Sequence, residues 1–568
     1  MRKHSKYMAK DLIEKDLKYW GSQIEVSKKF RERYGKSNRW ETLKKYHRNE
    51  WPDNELIYNI LHINLRSTIP KLYYKDPYVM VRPESNKFSI PCRMRETALN
   101  YVISQNGTKQ TMREIAEHTW MFGRGPGLVG FDVPPPQSLD EILAGKDVRG
   151  NEVKHEFNLY KKEGLPWFVP IHPENHLVPF GVKHITDTPW AAHGVLRDLD
   201  DLRKDDRYDT KGLHGTHLPM DSPQADYNAI ASDADSTMDL VFFWVIHDFR
   251  TGKVFALIED YDKWLREPVD DPAQVDGVPF VSCVFNPDTD YYWATSDALY
   301  LEPQLLEGNE VRTQLMYHRR LDLLKWIAER GVIDKEELKK FLDGDIGKWI
   351  WANATGTGKI SDKIMQFRSG IPPELYGYIE QINRDGRDTT GLGRNQMGDV
   401  EKKSHVSATE TMVVQAGYET RITDKVDAVK ETLEAAVRKM DKLMTKYWQD
   451  EETVKVMGID GKAYWVRYSA KDMEGKYKIE IDPRSMVEQD PQQKKMELMQ
   501  TIQMMQMNPS VNINYLMRLL LREYSYIDVL EALPEAPQGP TNADEFILQQ
   551  QQMQQQMMQG GQAGGQAG

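Results

Sequence analysis

One long segment without a continuous apolar face constrains this fold more than any other part of the chain. Residues 301–324 read LEPQLLEGNEVRTQLMYHRRLDLL, with Pro303 suited to a first helical turn and Gly331 to the position after a helix end. They predict a helix over residues 303–330, about 42 Å long at ~1.5 Å per residue. Because polar side chains surround more than one turn, it cannot be a buried core helix. It is either a solvated surface helix or one that pairs with copies of itself.

The charges along this predicted helix are self-complementary. Glu307 and Glu310 are negative, and Arg312, Arg319 and Arg320 are positive. Identical helices placed side by side can therefore pair opposite charges. We expect these five residues to form contacts between subunits.

The composition is that of a water-soluble chain with several domains. A length of 568 residues suits roughly two to four domains. The mean hydropathy is −0.66. No apolar run approaches the ~18 residues of a membrane span, and MRKHSKYMAKDLIEKD carries charges where a signal peptide has an apolar stretch. We expect a protein made in the cytoplasm, with no membrane partner.

Two cysteines, Cys92 and Cys283, lie far apart in the sequence. That number and spacing exclude a disulfide framework and a cysteine zinc site. We expect both to be small buried apolar residues.

The charge is unevenly distributed. Residues 1–50 hold 15 Lys and Arg against 7 Asp and Glu, a net +8; because the whole chain carries −11, the remainder carries −19. Affinity for DNA comes mainly from neutralising phosphates, so a chain this acidic is no ordinary nucleic-acid clamp. If the chain contacts DNA, we expect it to do so without binding the DNA tightly.

Two glycine motifs resemble nucleotide-binding loops but lack their context. Gly125, Gly127 and Gly130 form G-x-G-x-x-G, yet they follow a predicted helix and include Pro126. The GTGK of residues 356–359 has Asn353 where a phosphate loop needs its first glycine. Neither predicts a nucleotide site, and the second is better interpreted as a hairpin turn.

Candidate metal ligands also have simpler interpretations. His172 and His176 have the spacing of two ligands on a helix, but Pro173 makes this segment a loop or strand. The acidic run at residues 198–206 could hold a divalent ion. A solvated helix start neutralised by nearby cations is favoured. These cations are Arg197, Arg203, Lys204 and Arg207. We predict no metal, no cofactor and no catalytic residues.

The pattern along the chain predicts an α+β fold that is mainly helical. A β-rich region spans residues 123–300, and its Asp248–Gly252 segment predicts a hairpin turn. A capping box at Ser407 and Glu410 begins a helix to Trp448 with strict 4,3 apolar spacing. The other predicted elements are a helix to residue 65 stopped at Pro70, a strand at 78–81, helices at 90–122 and 372–392, a strand at 348–352, paired strands at 463–468 and 477–481, a helix at 491–533 and a low-complexity tail at 541–568.

The order of several motifs resembles a known family. NLRSTIPKLYYKDPYVMVRP at 64–83 is followed by PENHLVP at 173–179, GVPFVSCVFNP at 277–287, EPQLLEGNEVRT at 302–313, PPE at 372–374 and SATE at 407–410. This series, over roughly residues 50–500, resembles the portal, or head-to-tail connector, protein of tailed double-stranded DNA bacteriophages.

The resemblance implies a ring-shaped architecture around a central channel. Residues 1–300 and 407–490 would form the wing, 301–330 and 371–392 two stem helices, 331–370 the clip, 393–406 a tunnel loop and 491–540 the crown. In the tunnel loop, Arg394, Lys402, Lys403 and His405 would face DNA, although they are equally interpretable as solvated loop charges. The partner surface of the clip would include Lys335, Glu336, Lys339, Trp349 and Trp351, of which the two tryptophans are also candidates for the clip core.

The resemblance also implies a location and a set of partners. The protein would form a homo-oligomer, typically of twelve subunits, at one vertex of the capsid, after assembly in the host cytoplasm. The partners would be the major capsid and scaffolding proteins, the large terminase subunit, neck or adaptor proteins, and double-stranded DNA passing through without sequence specificity. Two alternatives remain: another virion assembly or adaptor protein, and a phage nuclease or ATPase.

Overall fold

The chain folds into two units. A computed structural model describes residues 2–51, 56–85, 89–131, 165–217, 239–259, 261–321, 325–328, 333–342, 351–353, 359, 363–367, 374–391, 408–447, 452–457, 463–468, 476–481, 486, 491–505, 517 and 520. The first unit comprises Met1–Glu452 and Tyr468–Glu488, and the second comprises Thr453–Arg467 and Gln489–Gly568.

Helices and strands both contribute, which confirms the α+β prediction. The helices are α1 (Arg2–Ser37), α2 (Trp40–His47), α3 (Ile60–Leu72), α4 (Ser89–Gln105), α5 (Thr108–Phe122), α6 (Leu199–Arg203), α7 (Asp297–Leu321), α8 (Lys335–Leu342), α9 (Glu374–Thr390), α10 (Ala408–Tyr447) and α11 (Pro491–Met505). The strands are β1 (Val79–Pro83), β2 (Gly125–Phe131), β3 (Pro166–Pro170), β4 (His176–Leu177), β5 (Trp190–Asp198), β6 (Leu240–Asp248), β7 (Lys253–Leu257), β8 (Arg266–Asp270), β9 (Phe280–Cys283), β10 (Lys325–Ala328), β11 (Ile364–Phe367), β12 (Glu452–Met457), β13 (Ala463–Tyr468) and β14 (Tyr477–Ile481).

The β-rich region contains an antiparallel five-stranded sheet in the order β4-β5-β6-β7-β8. Alternate residues of β6 point to opposite faces, as strand geometry requires. Phe243 packs into an apolar cluster with Leu199 and Leu213 of the connecting segments, whereas Trp244 packs against α1. The β6–β7 hairpin confirms the predicted turn at Asp248–Gly252.

Helix α1 lies against this sheet and is held by both apolar and polar contacts. The Trp20 ring meets that of Trp190 edge to face, with centroids 5.5 Å apart. Lys28 Nζ lies 3.0 Å from Glu259 Oε2. The basic N-terminal region is therefore helical, and several of its residues from Trp20 onwards are buried in the first unit.

A second sheet in the order β3-β2-β9 explains the G-x-G-x-x-G motif. A Cβ on Gly125 would lie 2.1 Å from the Ile115 carbonyl oxygen of α5, and a Cβ on Gly130 would lie 2.2 Å from the Trp167 ring. The glycines thus allow close packing of a strand, and the structure agrees with the prediction that they form no phosphate loop.

Helix α10 confirms the predicted long helix and its apolar seam. Val426, Val429, Leu433, Met440 and Leu443 are all buried at the predicted 4,3 spacing. The helix packs against α3, α4 and α5 and against β2, β3, β9 and β14. Its partner is therefore a composite surface of helices and strands.

Strand β14 pairs with β1, which corrects the predicted pairing of residues 463–468 with 477–481. Val79 lies opposite Ile481, and Pro83 lies opposite Tyr477. Strand β13 instead pairs with β12 in a two-stranded sheet. Residues 453–467 of this pair belong to the second unit, together with α11.

A buried ion pair lies beside the β1–β14 pair. Arg95 of α4 contacts Asp441 of α10, with side-chain exposures of 3% and 2%. The guanidinium also contacts the Tyr477 hydroxyl at 2.7 Å and lies 4.1 Å from its ring centroid. Three distant segments meet at this cluster.

Several predicted helix boundaries were wrong. Helix α3 continues past Pro70 to Leu72, and the Tyr73 N–H still donates to the Ile69 carbonyl at 3.0 Å. The predicted single helix over residues 90–122 is two helices, because Gly107 adopts a left-handed conformation with φ of 62°. Of the predicted helix at residues 491–533, the structure describes α11 and two single helical residues; the tail lies outside the described residues.

Candidate functional site

Helix α7 begins earlier and ends sooner than predicted. The Leu299 N–H donates to the Ser296 hydroxyl at 3.1 Å, which caps the helix seven residues before Pro303. The helix ends at Leu321, and residues 325–328 instead form β10 paired with β11. Pro303 therefore lies inside the helix.

Helix α9 packs beside α7, and we call these two helices the stem pair. Ile382 is buried, and its Cγ2 lies 3.6 Å from where a Cβ on Gly308 would stand, so this glycine leaves room for close packing. The Tyr378 hydroxyl donates to the Glu307 carboxylate. Helix α9 ends at Thr390, and the next residue, Gly391, has a φ of 72° that stops the helix.

An extended segment at residues 56–59 covers part of the polar surface of α7. The Leu56 N–H donates to Thr313 Oγ1 at 3.0 Å, and the Tyr58 N–H donates to Asn309 Oδ1 at 2.8 Å. The Arg312 guanidinium lies 3.8 Å from the Tyr58 ring centroid. Polar residues that suggested a solvated helix are thus partly used within the subunit.

The five charges predicted for subunit contacts do not neutralise one another within one subunit. Glu310 accepts a hydrogen bond from Gln314 at 3.2 Å, whereas Arg319 and Arg320 are exposed near the helix end. Among the residues that the structure describes, none of the five forms an ion pair. Glu307 and Arg312 instead contact Tyr378 and Tyr58, respectively.

The end of α9 is fixed against α3 and α10. Thr390 Oγ1 lies 3.4 Å from Asn64 Oδ1, and the Arg421 guanidinium donates to the Asp388 carbonyl. The side chain of Arg421 also fills the space beside Gly391, where a Cβ would lie 2.7 Å from Arg421 Cδ. The four predicted tunnel-loop residues, Arg394, Lys402, Lys403 and His405, lie outside the described residues.

The predicted clip surface is partly visible. Lys335, Glu336 and Lys339 are exposed on α8. The Trp351 N–H donates to Glu337 Oε2 at 3.2 Å, and 73% of Trp351 is exposed, so it does not pack in a core. Trp349 lies outside the described residues.

The described strands of the clip region are β10 and β11, and sequence reasoning missed both. The prediction of a strand at 348–352 is wrong at residues 351 and 352. These are its described residues, and they form no strand. Short apolar runs, KWIA and IMQF, were the only local signal for the pairing that the structure contains.

Three buried histidines line the same face of the five-stranded sheet. His176 Nε2 lies 3.1 Å from the Tyr292 hydroxyl, and the His193 and His247 rings stack with centroids 5.6 Å apart. His247 Nδ1 lies 2.6 Å from Asp271 Oδ2. Burial lowers the pKa of His176 to about 3 and that of His193 well below its usual value. Both rings are therefore neutral at pH 7.

The other predicted metal candidates have structural roles. His172 caps a short turn by accepting a hydrogen bond from the Glu174 N–H at 3.3 Å. Asp198 caps α6, and three other aspartates of its acidic run pair with cations: Asp200 with Arg203, Asp201 with Lys204, and Asp205 with Arg197 and Arg207. Cys92 and Cys283 are free and buried.

In the described parts of the chain, no group of three or more His, Cys, Asp or Glu is arranged to hold a metal ion. Nor does any described helix have the length and apolarity to cross a membrane.

Comparison with known proteins gives one family. The model of the family described as "Phage SU10 portal protein" matches residues 78–563. No curated protein matches the chain. The match spans the five-stranded sheet, the stem pair and α10.

Proposed function

The chain belongs to the phage SU10 portal protein family, and on that premise we propose that it forms a ring-shaped channel at one vertex of the capsid. The genome would enter through this channel during packaging and leave through it during ejection. The observation that carries the proposal is the family match over residues 78–563. The role is structural rather than enzymatic.

Assembly would use the stem pair. Arg319 and Arg320 have no intrachain ion pair among the described residues, and Glu310 is likewise available. Rotational symmetry would place the cations of one subunit against the carboxylates of the next and repeat each contact around the ring. Twelve subunits are proposed, as is typical of portal proteins.

The channel would let DNA slide. A net charge of −11 disfavours tight binding to phosphates. Arg394, Lys402, Lys403 and His405 would make the cationic contacts, in a loop that follows the fixed end of α9. Such contacts to phosphate carry no sequence preference.

Docking would involve other virion and packaging proteins. The clip surface formed by Lys335, Glu336, Lys339 and Trp351 is exposed, and exposed aromatic and charged side chains commonly anchor protein interfaces. We assign it, together with Trp349, to the large terminase subunit during packaging and to neck or adaptor proteins afterwards. The major capsid and scaffolding proteins would also be partners of the ring.

Native mass spectrometry and particle imaging test the assembly. Twelve subunits of 66.0 kDa give a mass of about 0.8 MDa, and images should show wide rings with a central hole. Only monomers and dimers at high protein concentration would overturn the proposal. Closed particles without a hole would instead favour another virion assembly or adaptor protein.

A further inference from the structure

Four aromatic rings from three distant segments cluster at the surface of the first unit. Phe30 and Tyr34 lie on α1, Phe180 lies after β4, and Tyr291 precedes α7. The Phe30 and Phe180 centroids are 5.0 Å apart, and those of Tyr34 and Tyr291 are 5.7 Å apart, both edge to face. We call these four residues the aromatic patch. Each ring contacts at least two others, so the patch is preorganised.

The outer part of the aromatic patch is open to solvent. Phe180 is 61% exposed and Tyr291 is 37% exposed, whereas Phe30 beneath them is 6% exposed. Gly181, with φ of 87°, follows Phe180, and a Cβ at Gly181 would meet no atom within 4 Å. The turn therefore presents Phe180 on an open surface. Exposed aromatic side chains supported by packed neighbours are typical anchors of protein interfaces.

Two carboxylates border the aromatic patch. Asp288 Oδ1 accepts hydrogen bonds from the N–H groups of Asp290 at 2.8 Å and Tyr291 at 3.1 Å, which fixes the loop. Burial, followed by the charge of Asp288, raises the pKa of Tyr34 to about 12, with Arg33 acting in the opposite direction. The Tyr34 hydroxyl therefore stays protonated at neutral pH. Aromatic faces beside carboxylates favour a cation.

We propose that the aromatic patch is the docking site for a basic segment of a partner protein, with an arginine stacked on Phe180 and Tyr291 and directed towards Asp288 and Asp290. Arginine fits better than lysine because its planar guanidinium stacks on rings while still donating to carboxylates. The inference goes beyond the proposed function, which assigns no partner to this surface.

Charge argues against a second copy of the chain as the occupant. Residues 51–568 of another subunit carry −19 and would repel the carboxylates that border the patch, whereas its basic residues 1–50 already form α1 and α2 of that subunit. A partner of opposite charge gains from the same field and is also steered towards the patch. The described structure thus favours a basic heterologous segment.

Photo-crosslinking identifies the occupant directly. Phe180 is replaced by p-benzoylphenylalanine, a conservative aromatic change, and assembled particles are irradiated. We expect an adduct with a different virion protein, mapped to a peptide that contains arginine. The matched control is Phe249, which is 51% exposed at the β6–β7 turn and outside the patch. Adducts only between copies of this chain, or no adduct above the control, would overturn the inference.

Substitutions test the energetic role of the patch. We expect Phe180→Ser and Asp290→Lys to leave the ring mass unchanged and to reduce the yield of particles containing the ring at least tenfold, while Phe249→Ser has no effect. Normal particle yield would overturn the inference. Loss of the ring in the patch variants alone would also overturn it, because a second copy of the chain would then occupy the patch. Absence of rings from the unsubstituted chain is a distinct result, since it counts against the proposed function.

Discussion

Charged side chains have opposite environments in the stem pair, where they are exposed, and in the core around α10, where they are buried and paired. In the core, Arg95 and Asp441 are almost fully buried and are paired within one subunit. On the stem pair, Arg319 and Arg320 lie in water without an intrachain ion pair among the described residues. A buried charge that loses its partner is costly, whereas an exposed one is solvated. The comparison teaches that the core charges support the fold of one subunit, whereas the exposed charges of Arg319 and Arg320 contribute little to it.

The largest effect should come from breaking the buried pair. Arg95→Met leaves the Asp441 carboxylate buried without its cation, which should lower the free energy of unfolding of the first unit by about 3–5 kcal/mol. Urea unfolding at pH 7 measures this change. The control is Arg438→Met on α10, the helix of Asp441, where the side chain is 52% exposed beside Glu434 and the cost should be at most about 1 kcal/mol. Equal costs would erase the contrast between buried and exposed charge.

The second-largest loss of stability should come from a steric change in the core. Gly125→Ala places a Cβ against the Ile115 carbonyl oxygen, and because backbone cannot move aside cheaply, we expect a loss of about 2–3 kcal/mol in the same assay. Gly21→Ala is the matched control, since a Cβ there meets no atom within 4 Å and lies inside α1. Gly21→Ala should raise the free energy of unfolding by about 0.5–1 kcal/mol. A tolerated Gly125→Ala would show that the β2–α5 packing is loose.

The buried histidines should make the core sensitive to acid. The folded-state pKa of His176 is about 3, below its value near 6.5 in the unfolded chain, so the unfolded chain binds more protons between these limits. Stability is fully present above pH ~6.5 and falls as the pH drops, by about 1.4 kcal/mol per pH unit for this histidine.

Unfolding measured from pH 6 to pH 4 tests this slope. His176→Phe should reduce it by about 1.4 kcal/mol per pH unit, since one proton-binding difference is removed. The exposed His184 offers a control, and His184→Gln should leave the slope unchanged. An unchanged slope in His176→Phe would mean that this ring titrates normally.

The smallest effect on folding should come from the stem pair. Replacing Arg319 and Arg320 together by Gln should change the free energy of subunit unfolding by less than about 0.5 kcal/mol. The ring should instead dissociate at lower salt, because each lost exposed pair contributes about 0.2–1 kcal/mol at every interface. Sedimentation velocity over a series of NaCl concentrations measures this shift. Arg82→Gln, at another exposed site, should assemble normally; if it dissociates in the same way, the effect is one of net charge.

Local patterns allowed much of the fold to be predicted. The seam of α10 and the β6–β7 hairpin depend on residues close in sequence, through 4,3 spacing and turn chemistry. The partner of β14 could not be predicted, because an apolar strand pattern fixes which residues are buried without naming the strand opposite. Strands β10 and β11 were missed since four-residue apolar runs are too short to distinguish from loops.

The candidate site was predicted only in part, for the same reason. The five stem charges were correctly placed on one helix, but no local pattern indicates that Tyr378 contacts Glu307 or that Tyr58 stacks on Arg312. Both partners come from segments distant in sequence. The three histidines of β4, β5 and β6 likewise meet only because strand pairing aligns them.

The pairing of β1 with β14 determines how late in synthesis the first unit can complete its fold. Val79 cannot pair until Ile481 has been synthesised, 402 residues later. At about 5–20 residues per second, this delay is roughly 20–80 s on the ribosome. The apolar edge of β1 and the side chain of Arg95 stay without their final partners for that time, while the stem helices have already emerged. Each subunit therefore becomes complete late, so a nascent chain exposes its stem charges before its own core has closed.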